Sequence, residues 1–306
     1  MRYCMTVTNS VDLFWSLATG EFSRRDGFDQ GKNRFKFVFR GMLTLPWTLR
    51  WLDTFRQSQT LLTYLRRNPR LASKLHRPYL YRSLGCRGKL EALCAHYQLL
   101  EQRFSADIRA QLLSSAPLRL ADIAGKNDCR LLLLLTHQHN FDKEGEMSLQ
   151  VCDAEQVPLA TLTFTLTRRG DKMAIVIGGL QGPRKPYGAE QVQLATKAAH
   201  GLFPKRLAME ALTALARKIG ADEILAVGNR EHIYSSWRYR RHFFADYDSF
   251  WQTMEAEAAD DKLRFYRIPL TLPRKAMTDI ASKKRSEYQR RYNLLDDLTA
   301  QALAAV

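Results

Sequence analysis

The spacing of apolar residues along the chain changes once, near residue 125. From about Val11 to Leu120, apolar residues recur at the spacing of helical turns, as in Leu61, Leu62 and Leu65. This period is typical of amphipathic helices that pack on one face. We therefore predict a helical N-terminal region over residues 1–125.

After residue 125 the period shortens to two, and β-forming residues become frequent, which predicts strands. Residues 168–171 form a predicted hairpin turn. A helix is predicted over Pro204–Ile219, because Pro favours the first turn of a helix and the glycine that follows Ile219 favours its end. The other predicted elements are strands at Leu131–Leu135, Met147–Cys152, Ala160–Leu166, Lys172–Ile177, Glu223–Val227 and Leu263–Leu272, and a C-terminal helix at Ser282–Leu298.

Together these elements predict an α+β fold. A helical N-terminal part is followed, in residues 126–306, by a mixed, mainly antiparallel sheet with flanking helices. The glycine-marked segment 178–183 is predicted to be a loop, and residues 229–241 a polar turn that leads into a short helix.

The chain is strongly basic, with a formal net charge of +16, and the excess lies mostly at the front. Residues 1–125 contain 20 Lys and Arg against nine Asp and Glu. Such a charge favours polyanionic partners, either tRNA or another nucleic acid, or anionic lipid. Basic and aromatic residues alternate over Arg34–Arg40, which fits a membrane surface or stacked bases. The alternative is a helix that buries its aromatic rings and leaves its basic groups in solvent.

The five cysteines are odd in number and include no CxxC pair, so they predict neither a disulfide framework nor a zinc ribbon. No secretory signal and no apolar run of about 18 residues is evident. We therefore expect a cytoplasmic protein with reduced thiols, in peripheral contact with the inner face of the inner membrane if its basic region binds lipid. The sequence leaves the oligomeric state open.

Several short motifs follow one another over about residues 68–298. The upstream motifs are Pro69, Pro78–Tyr79 and His96–Tyr97; the downstream ones are Ile177–Gly182, Ala195–Lys197 with His200–Lys205, Asn229 with His232 and Tyr234, Ala245–Asp248 with Phe250–Trp251, and Ser282–Tyr292. Together and in this order they resemble the VirK/YbjX family of bacterial proteins. The resemblance implies a link to virulence, cell-envelope robustness and tolerance of cationic antimicrobial peptides. It implies no established reaction.

The order of elements from the hairpin onward also looks like the core of GNAT acyltransferases. That resemblance implies a donor, acyl-CoA or aminoacyl-tRNA, bound beside the strand that precedes the glycine segment, and no tightly bound cofactor. Backbone N–H groups and a helix start would hold the donor's phosphates. The predicted donor-binding residues are Gly178, Gly179, Gln181, Gly182, Lys205 and Arg206.

Proton transfer is predicted for two histidines near helix ends, His200 and His232, because imidazole titrates near neutral pH. Asn229 is predicted to orient an imidazole or a substrate amide. The alternative for each histidine is a structural role, in which it caps a helix or forms its hydrogen bonds within the core. The alternative for Asn229 is a turn residue that follows a strand.

Two other groups of residues suggest ligands. His137 and His139, with Asp142 and Glu144 after them, allow a metal site, but no third histidine completes it. Five cations of the C-terminal helix predict an anion-binding face, unless acidic residues such as Asp246 and Asp248 pair with them. These cations are Lys283, Lys284, Arg285, Arg290 and Arg291.

The sequence thus favours an acyl- or aminoacyl-transferase that acts on an amine or hydroxyl acceptor. The alternative is a non-catalytic adaptor that binds a membrane or RNA through the basic N-terminal helices.

Overall fold

A computed structural model describes residues 8–137, 140–183, 188–235, 246–260, 262 and 264–306. The N-terminal part is helical, as its apolar period predicts. Its helices are α1 Ser10–Thr19, α2 Gly31–Leu43, α3 Leu45–Arg56, α4 Gln59–Arg67, α5 Cys86–Arg103 and α6 Ala106–Leu113, with a 3₁₀ segment at Pro69–His76. The predicted helical span is wrong at its end, because residues 118–124 form a strand instead.

The sheet has eight strands in the part of the chain that the structure describes. They are β1 Leu118–Ala124, β2 Arg130–Thr136, β3 Met147–Cys152, β4 Pro158–Arg169, β5 Lys172–Gln181, β6 Glu223–Val227, β7 Glu257–Ala258 and β8 Phe265–Ile268. Their order in the sheet is β1-β2-β3-β4-β5-β6-β8-β7. All neighbours are antiparallel except β5 and β6, which are parallel. The predicted α+β class with a mixed, mainly antiparallel sheet is confirmed.

Helices cover both faces of the central strands. The remaining helices are α7 Ala189–Ala198, α8 Pro204–Ile219, α9 Tyr247–Thr253 and α10 Ser282–Ala304. Residues 159–167 of β4 are all buried, which requires cover on both faces, and β4 contacts both α5 and α8. The helix α10 packs against α8 and β1. Because β1 precedes residue 125, the sheet starts inside the region predicted to be helical. The division of the chain into two regions between residues 125 and 126 stays a prediction.

Three further predictions need correction. Residues 178–181 belong to β5 rather than to a loop, and the last predicted strand is shorter, at Phe265–Ile268. The helix predicted after residue 241 is α9, which begins at Tyr247; residues 236–245 lie outside the described part. No helix of the described chain combines the length and the hydropathy that crossing a membrane requires.

Candidate functional site

The parallel strands β5 and β6 separate at the centre of the sheet. They are paired from Ala174 with Glu223 to Ile177 with Ala226. Beyond this point β5 continues to Gln181, still paired with β4 on its other side, whereas β6 ends at Val227. Ligands of open α/β sheets commonly bind outside the carboxyl ends of parallel strands. This end of β5 is therefore the first place to look for a site.

Side chains take the place of a strand neighbour along the free edge of β5. The N–H of Leu180 donates to the Tyr247 hydroxyl at 3.1 Å, and the Gln181 amide donates to the same oxygen at 3.2 Å. The Gln181 amide also donates to Glu144 Oε1 at 2.8 Å. The ring of His232 stacks on Tyr247 with centroids 4.6 Å apart, and its Nε2 lies 3.7 Å from Glu144 Oε1. We call Glu144, Gln181, His232 and Tyr247 the edge network.

The imidazole of His232 is neutral at physiological pH. Burial lowers its pKa to about 4, against an opposing hydrogen bond with the backbone of Gly178. The N–H of Tyr234 donates to His232 Nδ1 at 3.3 Å, so the ring proton sits on Nε2, toward Glu144. Burial also raises the pKa of Tyr247 far above its usual value, so the phenol keeps its proton. The edge network therefore contains a neutral imidazole and a neutral hydroxyl beside a carboxylate.

The glycines of β5 are explained by Glu144. A Cβ at Gly178 would overlap the Glu144 carbonyl, and one at Gly179 would overlap the Glu144 carboxylate. At Gly182 a Cβ would meet nothing within 4 Å. Sequence reasoning assigned these glycines to donor phosphates, whereas the structure brings the first two against a buried acidic residue.

An apolar cleft of about 600 Å³ opens beside the end of β5, at the start of α8. Its walls include Gly182, Phe203, Lys205 and Phe250. The ammonium of Lys205 lies 5.8 Å from the centre of the Phe250 ring, and burial lowers its pKa. Lys205 forms no ion pair within the described part of the chain, so its charge is available to an anionic ligand.

Arg206 also lines the cleft, but its guanidinium is already engaged. It donates to Glu210 Oε2 at 3.4 Å, and Glu210 also pairs with Arg274 at 3.3 Å. Of the two predicted cations at this helix start, Lys205 is thus the one without a carboxylate neighbour in the residues described.

The helix α9 connects the cleft with the edge network. Its first residue, Tyr247, belongs to the network, while Phe250, one turn later, lines the cleft. Asn229 fixes this helix start: its side chain accepts from the N–H of Tyr247 at 2.7 Å and donates to Asp246 at 2.9 Å. Asn229 therefore holds the residue on which His232 stacks, and its predicted role of orienting an imidazole stays a prediction.

His200 lies apart from His232, at the C-terminal end of α7, and the residues that follow it line the cleft. Its carbonyl accepts from Arg291, and its pKa is lowered by burial and by Lys126 and Arg290. The structure thus joins His200 to the basic start of α10 and leaves His232 in the edge network.

The basic start of α10 is only partly paired. Arg285 donates to the Ile280 carbonyl at 3.0 Å, Arg290 to Ser286 at 2.8 Å, and Arg291 pairs with Glu287 at 3.1 Å. Among the residues described, Lys283 and Lys284 have no ion-pair partner. The alternative partners Asp246 and Asp248 bind Asn229 instead, so pairing with them is wrong.

A second buried polar group was missed from the sequence. Glu146 pairs with Lys74 and accepts from the Tyr97 hydroxyl at 3.0 Å. His96 and His137 lie close by, with ring centres 5.5 Å apart. These residues come from four separate elements, so no local spacing indicates the group, although His96–Tyr97 belongs to a family motif.

The metal interpretation finds no support in the described residues. They contain no group of three or more His, Cys, Asp or Glu side chains arranged so that it could hold a metal ion. His137 hydrogen-bonds the Tyr64 hydroxyl at 2.7 Å through Nδ1, and its predicted partner His139 lies outside the described part.

Comparison with known proteins places these features in a family. Residues 26–304 match the family described as "Protein of unknown function (DUF535)". The chain is 40% identical over 296 residues to "Uncharacterized protein YbjX" of Escherichia coli K12, covering 96% of this chain and 89% of that protein. Two proteins of Haemophilus influenzae, each named "Uncharacterized protein", are 28% identical over 250 and 220 residues. The first alignment covers 81% of this chain and 80% of the relative, and the second 72% and 70%.

Proposed function

Since the chain belongs to the DUF535 (VirK/YbjX) family, whose description names no reaction, we propose from the geometry of the site that the protein is an acyl- or aminoacyl-transferase. One observation carries the proposal. The parallel strands β5 and β6 separate at the edge network, and an apolar cleft with the cation Lys205 opens at the same end of β5. An apolar chain with a charged end would fit this arrangement.

The order of elements supports the resemblance to GNAT acyltransferases. A hairpin of β4 and β5 is followed by α7 and α8, the parallel strand β6, the helix α9 and the strand β8. In this proposal the donor's acyl end lies at the separation of β5 and β6. Its phosphate lies near Lys205, and the chain between them occupies the cleft.

The reaction would join an acceptor amine or hydroxyl to the acyl carbon. A bond forms from the acceptor atom to that carbon, and the bond from the carbon to sulfur in CoA, or to ribose oxygen in tRNA, breaks. We assign the acceptor's proton to Nδ1 of His232, which would give up its 3.3 Å hydrogen bond from the N–H of Tyr234, since Glu144 would stabilise the resulting imidazolium. The imidazolium of His232 would then return this proton to the leaving sulfur or oxygen.

Donor binding tests the role of Lys205. We expect Lys205→Ala to weaken binding of CoA, long-chain acyl-CoA or aminoacyl-tRNA by about tenfold or more, because a charge-assisted contact to phosphate is lost. The matched control is Lys218→Ala, which removes an exposed lysine from the last turn of the same helix. Calorimetry at low and at high salt measures both variants. Equal donor affinity in Lys205→Ala and wild type would contradict this position of the phosphate.

Transfer to a simple amine tests the catalytic assignment. We expect His232→Gln to abolish product formation while donor affinity stays within about twofold, because the imidazole contributes to proton transfer and not to phosphate binding. His200→Gln serves as the comparison, since His200 is the other predicted base. Loss of transfer in His200→Gln with normal turnover in His232→Gln would reverse the assignment.

The second candidate function is a non-catalytic adaptor at a membrane or on RNA. It is favoured by one specific observation, the exposure of Phe35, Phe39 and Leu43 on the basic helix α2. An adaptor predicts polyanion binding that weakens steeply with salt and no turnover of any donor.

A further inference from the structure

The exposed apolar side chains of the molecule are concentrated on its N-terminal helices. Seven of the nine large hydrophobic residues that are exposed in the described chain lie on α1, α2 and α3. On α2 they form one stripe, because Phe35, Phe39, Met42 and Leu43 follow helical spacing. The rings of Phe35 and Phe39 stack at 6.4 Å, and their exposed fractions are 71% and 59%. A stripe of this kind, which lies outside the core, indicates an interaction surface.

The opposite side of α2 already has its packing partners. Phe37 is buried against Phe14 and Phe28, with ring centres 5.0 and 5.7 Å away. The helix therefore places one aromatic residue in the core and leaves the stripe toward solvent. The sequence alternative, in which all these aromatic rings are buried, is wrong for Phe35 and Phe39.

The stripe borders a cationic pocket of about 460 Å³. Lys36 and Arg40 line it from α2, and Arg70 and Arg77 line it from the 3₁₀ segment and the residue after it. The side chains of Lys36, Arg40 and Arg70 form no ion pair or hydrogen bond within the described residues. Asp26 is the one carboxylate among the lining residues. Residues 30–52 include five cations and no acidic residue, so the sequence around the pocket is basic as well.

Arg77, which lines the pocket, has two buried N–H groups without a partner in the described part. Arg77 pairs with Asp142 through Nη2, but its Nε and Nη1 are buried and have no hydrogen-bond partner in the described part. A buried guanidinium N–H group without a hydrogen-bond partner is energetically costly, so such groups are normally paired with an anion or with water. Phosphate oxygens match the fork of donors that a guanidinium presents.

We propose that the pocket binds the phosphate of an anionic glycerophospholipid while Phe35, Phe39 and Leu43 insert into the headgroup region of the bilayer. An apolar stripe beside unpaired cations is the pattern of a helix that lies in a membrane interface. Charge complementarity selects the anionic lipid, because the ammonium group of a zwitterionic lipid already offsets its phosphate and leaves no net negative charge for the cations. The surface is separate from the cleft, so this inference stands whether or not the protein is a transferase.

Flotation of the full-length protein with vesicles tests the pocket. The probes are vesicles of phosphatidylcholine alone and of phosphatidylcholine with 30 mol% phosphatidylglycerol, at low and at high salt. We expect binding to the mixed vesicles only. The variant Arg40→Gln/Arg70→Gln should lower partitioning of the protein onto the mixed vesicles about 30-fold, because each cation near an anionic surface contributes to binding and two are removed. The control, Lys172→Gln/Lys218→Gln, removes two exposed lysines elsewhere and should bind like wild type.

The same assay tests the stripe. Phe35→Ser/Phe39→Ser should reduce vesicle binding at least tenfold with an unchanged melting temperature, because both rings are exposed. Leu194→Ser, an exposed apolar residue on α7, is the control. Binding that survives the loss of both phenylalanines would overturn the membrane assignment. So would pocket-dependent binding of soluble glycerol phosphate or RNA in a protein that does not float.

Discussion

At the scale of single residues, the most consequential side chain of the interior is Glu146. It is fully buried, and burial alone would raise its pKa, but Lys74, with His96 and His137, lowers the pKa to about 2. The carboxylate is therefore ionised inside the protein and depends on the ammonium of Lys74, which is itself 2% exposed. Because Lys74 lies on the 3₁₀ segment and Glu146 just before β3, the pair attaches the N-terminal helices to the sheet.

Removing one partner of this pair should be costly. We expect Lys74→Met to lower the free energy of unfolding by about 3–5 kcal/mol, since a buried carboxylate would lose its counter-charge. Chemical denaturation monitored by circular dichroism measures the change. The double variant Lys74→Met/Glu146→Leu is the control and should recover at least half of the loss, because no charge stays buried. A single variant as stable as wild type would show that the carboxylate does not need the lysine.

At the scale of elements, the glycines at the end of β5 offer two opposed interpretations. As a phosphate loop they would need open backbone N–H groups, whereas in the structure Gly178 and Gly179 make room for Glu144. Gly182 has open space around its Cα and belongs to the cleft. The three glycines are therefore not equivalent, although they are close in sequence.

Alanine at two of these positions separates the interpretations. We expect Gly179→Ala to destabilise the protein by about 1–3 kcal/mol, as overpacking does, because its Cβ would overlap a buried carboxylate. Gly182→Ala is the matched control and should change stability by less than about 0.5 kcal/mol. Melting temperatures of the two variants measure the difference. A stable Gly179→Ala protein with impaired donor binding would restore the phosphate-loop interpretation.

Most elements could be predicted because their signals are local. The strands β3 and β6 and the helix α8 have the predicted bounds, because their signals are local: alternation in β3, a short apolar run in β6, and Pro204 and Gly220 at the two ends of α8. The strand β1 was missed because residues 118–124 follow a helical run and pair with β2, which lies later in the chain. The edge network was predicted only in part. His232 and Gln181 were site candidates, whereas Glu144 was considered only for a metal site and Tyr247 appeared only within a family motif. Both reach the network through contacts between segments that are distant in sequence.

At the scale of the whole molecule, a strongly basic protein keeps several buried histidines neutral. The excess of positive charge lies mainly in residues 1–125, which contain 20 Lys and Arg against nine Asp and Glu. Three histidines are largely withdrawn from solvent: His76, His96 and His232. Burial is the main reason that the pKa of each falls to about 4. The nearby positive charges of Arg40 and Lys89 also lower the pKa of His76. The folded protein therefore keeps these imidazoles neutral at pH values where an unfolded chain would protonate them.

This difference predicts a pH dependence of stability with a definite sign. An unfolded histidine titrates near pH 6.5, so between about pH 6.5 and pH 4 the unfolded chain binds more protons than the folded one. Stability is then fully present above pH 6.5 and falls as the pH falls through this window. We expect the melting temperature to decrease steadily from pH 7.5 to pH 5 in phosphate-free buffer, which keeps the cationic pocket from binding buffer anions.

Replacing one of these histidines should make the decrease shallower. His76→Gln removes a group that the folded state keeps neutral, and its Nε2 contacts only the hydroxyls of Thr44 and Thr48 in the described part. Differential scanning calorimetry across the pH series compares the variant with wild type, and His200→Gln, whose imidazole is less withdrawn from solvent, is the control. A slope equal to that of wild type would mean that His76 is protonated in the folded protein, in spite of its burial and the two cations beside it.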